Sequence, residues 1–394
     1  MTTFADRVDA DAVIRTARDL IRIPSVTGAE LPVMDHVQRW ATERGIPFTV
    51  VAKDTSRPNV ILSLGDPTTG PTLALNGHLD TVPVSDPDAW RTDPYDPVIS
   101  EDGMRLYGRG SSDMKSSTGV MMSTMALFKD TPLRGCLQAH VVCDEEKSAK
   151  FGTLAVLDAI EAGTLPRPTY CVIGEKSELK IRNAERGLLA VRITFHGRAS
   201  HTAAARATGV NAIAKAAKGV LALEQDLDAF HPSVGKPVIS VNIISGGVAH
   251  NVVPGECVIE VDRRLIPGET KGSAVADMRA ALDAVAVDDP LFRYTMDIDP
   301  HDVFIDANIT EADSPIVAQM QAAAERVTGS VPPYFVQWAG ATDGRFYRQR
   351  GIDTVGLGPG GENAHGANEA VFVPDLITQA KIYAETIGAL LTGG

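Results

Sequence analysis

Cysteine is scarce in this chain and carries no pattern. The four thiols, Cys136, Cys143, Cys171 and Cys257, are dispersed and no Cys-X-X-Cys pair occurs. That argues against a disulfide framework and fits a reducing cytoplasm, with Cys143 and Cys171 expected as buried thiols inside apolar runs. Long hydrophobic runs are also missing, since no stretch approaches the ~20 apolar residues needed to span a bilayer. The N-terminus shows no apolar signal core. Asp11–Ile21 instead places Val13, Ile14, Ala17, Leu20 and Ile21 on one face, which predicts a helix. Clusters of Lys and Arg are lacking too. With a formal charge of −13, neither nucleic acid nor an anionic membrane is expected as a partner. The expected protein is soluble and cytoplasmic.

What is present is an ordinary globular composition, 44% hydrophobic and 22% charged, over 394 residues. That length favours two domains. Up to about residue 185, short β-branched or apolar runs (Val60–Leu64, Thr72–Leu75, Leu137–Cys143, Pro168–Ile173) alternate with helical patterns at Leu31–Arg44, Ser116–Phe128 and Thr153–Ala162. The alternation predicts an α/β layer with a mainly parallel sheet, whose ligands gather beyond the carboxyl ends of the strands.

From about Leu188 the pattern changes. Leu189–Phe195 alternates as a half-buried strand, a helix is expected over Asn211–Ala229, and strands over Val238–Ile244 and Cys257–Arg263. A helix, Ser273–Val285, and a strand, Phe292–Ile298, complete a β-α-β-β-α-β order of the ferredoxin-like type. The expected division is a first domain of residues 1–187 and 300–394 with residues 188–299 inserted. The closing part holds helices near Ser314–Thr328 and Pro374–Leu391 and a turn at Gly358-Pro-Gly-Gly361.

Metal-binding side chains stand in short polar turns: His78 in Asn76-Gly-His-Leu-Asp80, Asp113 in Gly110-Ser-Ser-Asp-Met-Lys115, Glu146 in Asp144-Glu-Glu146, Glu175 after Gly174, and His365 in Asn363-Ala-His365. Three of these turns follow predicted strands directly. Oxygen and imidazole donors without thiolates suit zinc, or cobalt or manganese in its place, held for hydrolysis. The bland alternative, ordinary surface polar residues, would have to hold independently at every one of these positions. Glu145 could be a solvated partner of Lys147, and Arg264 a structural partner of Asp262. Met121, Met122 and Met125 at helical spacing are core filler.

At these motifs the sequence resembles the two-metal amidohydrolase and exopeptidase family of acetylornithine deacetylase, succinyl-diaminopimelate desuccinylase, aminoacylase and glutamate carboxypeptidase. The resemblance spans nearly the whole chain. It includes Asn76–Pro83, Gly108–Lys115, Asp144–Glu146, Gly197–His201, Gly209–Ile213, Asn251–Pro254, Gly340–Arg345, and His365 with Glu369. It implies a zinc-exopeptidase-like catalytic domain and an inserted lid that also forms a homodimer. It implies two divalent metals, with His78 and Glu175 on one, Glu146 and His365 on the other, and Asp113 bridging. Asp80 would accept from the far ring nitrogen of His78, and Glu145 would be the general base, consecutive glutamates of an extended segment pointing opposite ways. His201 of the lid would reach the scissile carbonyl oxygen, often across the dimer. Asn251, Arg264 and Thr342 would contact substrate.

The implied reaction is amide hydrolysis of N-acyl amino acids by a metal-bound hydroxide. A metallo-exopeptidase (carboxypeptidase or dipeptidase) is the alternative, and a non-catalytic binding protein on the same fold a third reading. The chain departs from the family pattern in three places. Lys176 follows Glu175 where proline is usual, Ser116-Ser117 follows Lys115 where glycine is usual, and Glu185-Arg-Gly-Leu188 replaces the desuccinylase-type Arg-Arg-Gly-Ser. An anionic succinyl group is not drawn to Glu185.

Overall fold

The computed structural model describes residues 3–336 and 340–392. The chain divides into two compact units. The first comprises residues 1–183, 310–335 and 342–394, the second residues 184–309 and 336–341.

The first unit is built on a six-stranded sheet in the order Phe48–Val51, Asn59–Gly65, Cys136–Val142, Thr72–His78, Tyr170–Ile173, Asp353–Gly356. The last four run parallel and the first two pair antiparallel at one edge. The strands Thr72–His78 and Cys136–Val142 are buried at every position. That is why they read as continuous apolar runs with no alternation: helices cover both faces of a parallel sheet. Helix Lys115–Phe128 is buried almost all round, packing on Ala10–Ile21, Val373–Leu391 and the strand Thr72–His78. Met121, Met122 and Met125 are wholly buried in this core. Each fully buried side chain of this size contributes ~1.5–3 kcal/mol of transfer free energy. Two pieces had no sequence signal, the four-residue strand Asp353–Gly356 and a second sheet of short strands from Val98–Ile99, Arg105–Tyr107, Gly361–Glu362 and Ala370–Phe372. Neither is long enough for a period to show.

The second unit follows the expected β-α-β-β-α-β order: Gly187–His196, Ala212–Leu223, Val238–Gly246, Glu256–Leu265, Lys271–Asp288, Arg293–Ile298. Its antiparallel sheet runs Val238–Gly246, Glu256–Leu265, Gly187–His196, Arg293–Ile298. Burial alternates residue by residue along Gly187–His196, so Leu189, Val191, Ile193 and Phe195 meet Met278 and Leu282 of the helix layer while Arg192 pairs with Glu260 on the other face. The first helix ends at Leu223, not Ala229. There the Glu224 carboxylate accepts the amide of Val241, and Asp226 and Asp228 beyond it would oppose the helix dipole. The expected joins at 187 and 300 fall inside this unit, because Ala184–Glu185 pairs with Asn308–Ile309 and extends it at both ends. Strand Val238–Gly246 is an edge, with Ile243 and Ile244 more than half exposed. Among the described residues no helix is long and apolar enough to cross a membrane.

Candidate metal and catalytic site

Within the first unit, the turns that follow the parallel strands converge. His78 closes the strand Thr72–His78, Glu145 and Glu146 follow Cys136–Val142, and Glu175 follows Tyr170–Ile173. Asp113 lies just before helix Lys115–Phe128, joined to Met114 by a cis peptide, and His365 sits in the loop beyond Asp353–Gly356. The glycines before two of these ligands are required by crowding. A Cβ on Gly77 would lie 2.5 Å from Thr118 Oγ1, and one on Gly174 2.3 Å from both Met121 Cε and Ser117 Oγ. The strand ends press on the buried helix, which fixes where His78 and Glu175 point.

Asp113 divides its carboxylate between two histidines. Its Oδ1 is 3.2 Å from His78 Nε2 and its Oδ2 3.0 Å from His365 Nε2. Glu175 Oε1 lies 3.4 Å from His78 Nε2, and Glu146 Oε2 lies 3.2 Å from His365 Nε2. Two clusters result, His78–Asp113–Glu175 and Asp113–Glu146–His365, each with donor atoms within 4.8 Å of one another. Glu145 belongs to neither, its Oε2 standing 3.9 Å from His78 Nε2.

The surroundings of these groups are polar and buried. His78 Nδ1 bonds to the backbone carbonyl of Asp80 at 2.9 Å, while the Asp80 carboxylate is farther, at 3.5 Å. The ring nitrogen expected to face the Asp80 carboxylate therefore meets the Asp80 backbone carbonyl more closely. The carboxylate instead accepts the amides of Glu145 and Glu146 at 3.1 and 3.2 Å and the hydroxyl of Thr27 at 2.9 Å. The two glutamates do not separate by strand alternation either. Asp144 is left-handed at φ 65° and opens a turn, and half-buried Arg57, itself paired with buried Glu30, holds its carboxylate in place. Lys176, where the resemblance expects proline, sends Nζ to the carbonyl of Gly361 at 2.7 Å.

Electrostatics fit a pair of cations. Burial alone would depress His78, but the carboxylates of Asp113, Asp80 and Glu175 outweigh it and hold the ring well above the ordinary histidine range. His365 is raised to about 10 by Asp113 and Glu146. Glu145 is pushed far up by burial and by the nearby charges of Glu175, Asp343 and Asp113. So many carboxylates gathered in one place call for positive charge. Oε1 of Glu146 is buried with no hydrogen-bond partner among the described residues. An unpaired carboxylate oxygen beside a shared aspartate is the donor set of a metal site rather than of an ion-pair network.

The remaining candidates belong to neither ligand cluster. Thr342, buried in the first unit, accepts the amide of Gly344. In the second unit His201 is exposed and pairs with Val252, and the Asn251 carbonyl accepts the Thr202 amide. His201 Nδ1 accepts the Ala203 amide at 3.1 Å, so in the neutral ring the proton sits on Nε2, ready to donate. Arg264 is held by both oxygens of Asp262, at 2.7 and 3.0 Å, so the structural pairing is real. It also lines an open cavity of about 500 Å³ with Arg186, Ser240 and Asn242. Arg186 was missed, although it stands in the Glu185-Arg-Gly segment. The residue before it drew the reading, and Glu185 proves to be buried rather than presented to a ligand.

A cluster of ligands around a shared carboxylate, with a further carboxylate beside it, on a mainly parallel α/β sheet, defines a metal-dependent hydrolase. Residues 74–389 match the model of peptidase family M20/M25/M40, and the chain belongs to that family. It is 29% identical to a succinyl-diaminopimelate desuccinylase of Hydrogenovibrio crunogenus, over 96% of this chain and 98% of that one. Its fold is similar to the aminopeptidase PepT of Bacillus cereus, with a TM-score of 0.76 at 20% identity over 98% and 99% of the two chains. It is also similar to the Bacillus subtilis protein YXEP, a dinuclear metal-binding peptidase, with a TM-score of 0.69 at 19% identity over 97% and 98%.

Proposed function

We propose that this chain hydrolyses the amide bond of N-acyl amino acids with two divalent cations, zinc by the preference of mixed imidazole and carboxylate donors. His78 and Glu175 would hold one ion, Glu146 and His365 the other, and Asp113 both. When bound, such ions supply Lewis acidity, lowering the pKa of a shared water toward ~7 and polarising the amide carbonyl. The observation that carries the reading is Glu145: it stands beside the shared aspartate without belonging to either ligand cluster. Its carboxylate takes a proton from the attacking water and returns it to the leaving nitrogen. Asp80 holds the amides of both glutamates and so keeps base and ligand in register. His201, protonated on Nε2, donates to the carbonyl oxygen as negative charge develops there. It does so across a homodimer formed through the second unit, whose exposed apolar edge strand supports such pairing.

Arg264 and Arg186 receive the substrate carboxylate. Asp262 occupies Nε and Nη2 of Arg264, leaving its Nη1 for the ligand. Asn251 and Thr342 border the substrate. The enzyme works in the cytoplasm. The test is a panel of N-acetyl and N-succinyl amino acids, their C-terminal amides and dipeptides, with added Zn²⁺, Co²⁺ or Mn²⁺. Faster cleavage of free acids than of amides, with acylated amino acids ahead of dipeptides, is expected. Equal cleavage of acid and amide would remove carboxylate recognition. The peptidases of similar fold favour a second reading, a metallo-exopeptidase, and dipeptides turned over faster than acylated amino acids would select it. No turnover of any of these substrates would leave the non-catalytic reading.

A further inference from the structure

Glu369, just past the His365 loop, is 1% exposed and has a carboxylate crowded with donors. Oε1 accepts the amides of Ser112 at 2.8 Å and Asp113 at 3.0 Å. Oε2 accepts the amide of Gly110 at 2.9 Å and Nη1 of Arg109 at 2.6 Å. Arg109, also 1% exposed, sends its other arm, Nη2, to the backbone carbonyl of His365 at 3.1 Å. The Trp90 ring lies 5.4 Å from its guanidinium.

Neither stretch that carries these ligands is held by a regular ladder. Gly108–Met114 is a run of turns, and Asn363, His365 and Asn368 are all left-handed, at φ 54°, 66° and 57°. Such a conformation costs an L-residue free energy and persists only where its surroundings enforce it. His78 and Glu175, by contrast, are placed by the buried sheet itself. Two clusters share Asp113, yet only one depends on His365.

We propose that the buried Arg109–Glu369 pair is the positioning strut of the second cation site, the one formed by Asp113, Glu146 and His365. It fixes the backbone of the shared aspartate to the backbone of the exposed histidine. The role rests on the two-cation reading above. A merely structural ion pair would contribute to folding and be indifferent to which cation is bound. A strut is selective, because it ties the shared Asp113 to His365, which belongs to one site alone, and its bonds reach neither His78 nor Glu175. Partners of this kind, one bond removed from a ligand, are worth about 10–100-fold in metal affinity.

The experiment strips the full-length protein of metal and titrates it with Zn²⁺ against a chromophoric chelator, and with Co²⁺ followed by its visible absorption. The thermal midpoint of the metal-free form is recorded alongside. Glu369→Gln keeps the side chain's size and loses its charge. Arg109→Lys keeps the ion pair and loses the arm to His365. The unmodified chain should bind two cations. Glu369→Gln should weaken one of them by about 10–100-fold, and Arg109→Lys by less, with the other cation little changed in both. Should Glu369→Gln fail to fold, Arg109→Lys decides alone. Two cations bound at unaltered affinity in the folded variants would overturn the strut. So would equal weakening of both cations in step with a lowered metal-free midpoint, the mark of a structural pair. One cation or none in the unmodified chain would instead overturn the two-cation reading, and the strut with it.

Discussion

The two units hold their chemistry in opposite ways. In the first, His78 and Asp80 are buried and the groups near the ligands are fixed by buried or half-buried partners: Asp80 by Thr27, Asp144 by Arg57, Asp113 by Glu369. In the second, His201 and Asn251 are exposed, and each is tied down by little more than one local backbone bond. A preorganised interior suits groups that must not move while charge shifts, since rearrangement inside it would cost what it was built to avoid. An exposed layer suits groups that engage only when substrate arrives. Changes in the first unit should therefore destroy the site, and changes in the second should tune it.

The sharpest break should come at Asp113. Asp113→Ala should empty both cation sites, and activity should fall further than the ~10²–10⁴ that a lost proton relay costs. His78→Ala should mainly empty one, and metal analysis of purified protein reads both. Glu145→Gln should keep its metal and its fold yet lose ~10²–10⁴ in kcat. Near-normal turnover in that variant would remove Glu145 as the base. Crossing to the second unit, His201→Ala should lose ~10²–10³ in kcat with metal content unchanged. Mixing inactive His201→Ala with inactive Glu145→Ala chains should restore activity, whereas no recovery after verified subunit exchange would put both residues to work within one chain. Arg264→Lys should raise KM about tenfold for free acids, with kcat nearly kept, because the fork is lost and the charge is not.

The smallest effect lies far from any chemistry. Lys215 and Lys218 hold Asp289 down to about 2 from an ordinary 3.8. A folded-state value below the unfolded one means the pair stabilises above about pH 4, and that stability is lost as pH falls through about 2. Asp289→Asn should cost at most ~1 kcal/mol at neutral pH. Denaturant melts across pH should show the gap to the unmodified protein closing under acid.

How far the sequence could be read follows the same division. The candidate ligands that the fold gathers were legible because each sits in a polar turn, three of them directly after an apolar run, and a buried parallel strand is an apolar run. The alternation of Leu189–Phe195 was legible for the opposite reason, one face being wet. What stayed hidden were charged residues taken indoors. Arg109, Arg57 and Glu30 look like surface residues in a sequence, and only the folded chain shows the carboxylates and carbonyls they serve. Glu146 falls in a ligand cluster and Glu145 does not, and what precedes them is a left-handed turn at Asp144 instead of the expected strand alternation. Arg186 went unnoticed because a pocket is made by strands far apart in the chain. Gly340, more than 150 positions away, lines the same cavity.

The fit of Gly77 and Gly174 against the helix Lys115–Phe128 bears on how such a protein can diversify. At either position one added methyl meets atoms of that helix at 2.5 Å or less. A step at either place in a descendant of this chain has to be matched by a shift of helix side chains such as Thr118, Ser117 or Met121. His201 and Asn251 are exposed side chains with open space to vary into. A lineage built this way would keep one reaction for as long as it lasts and change, residue by residue, the molecules it is offered.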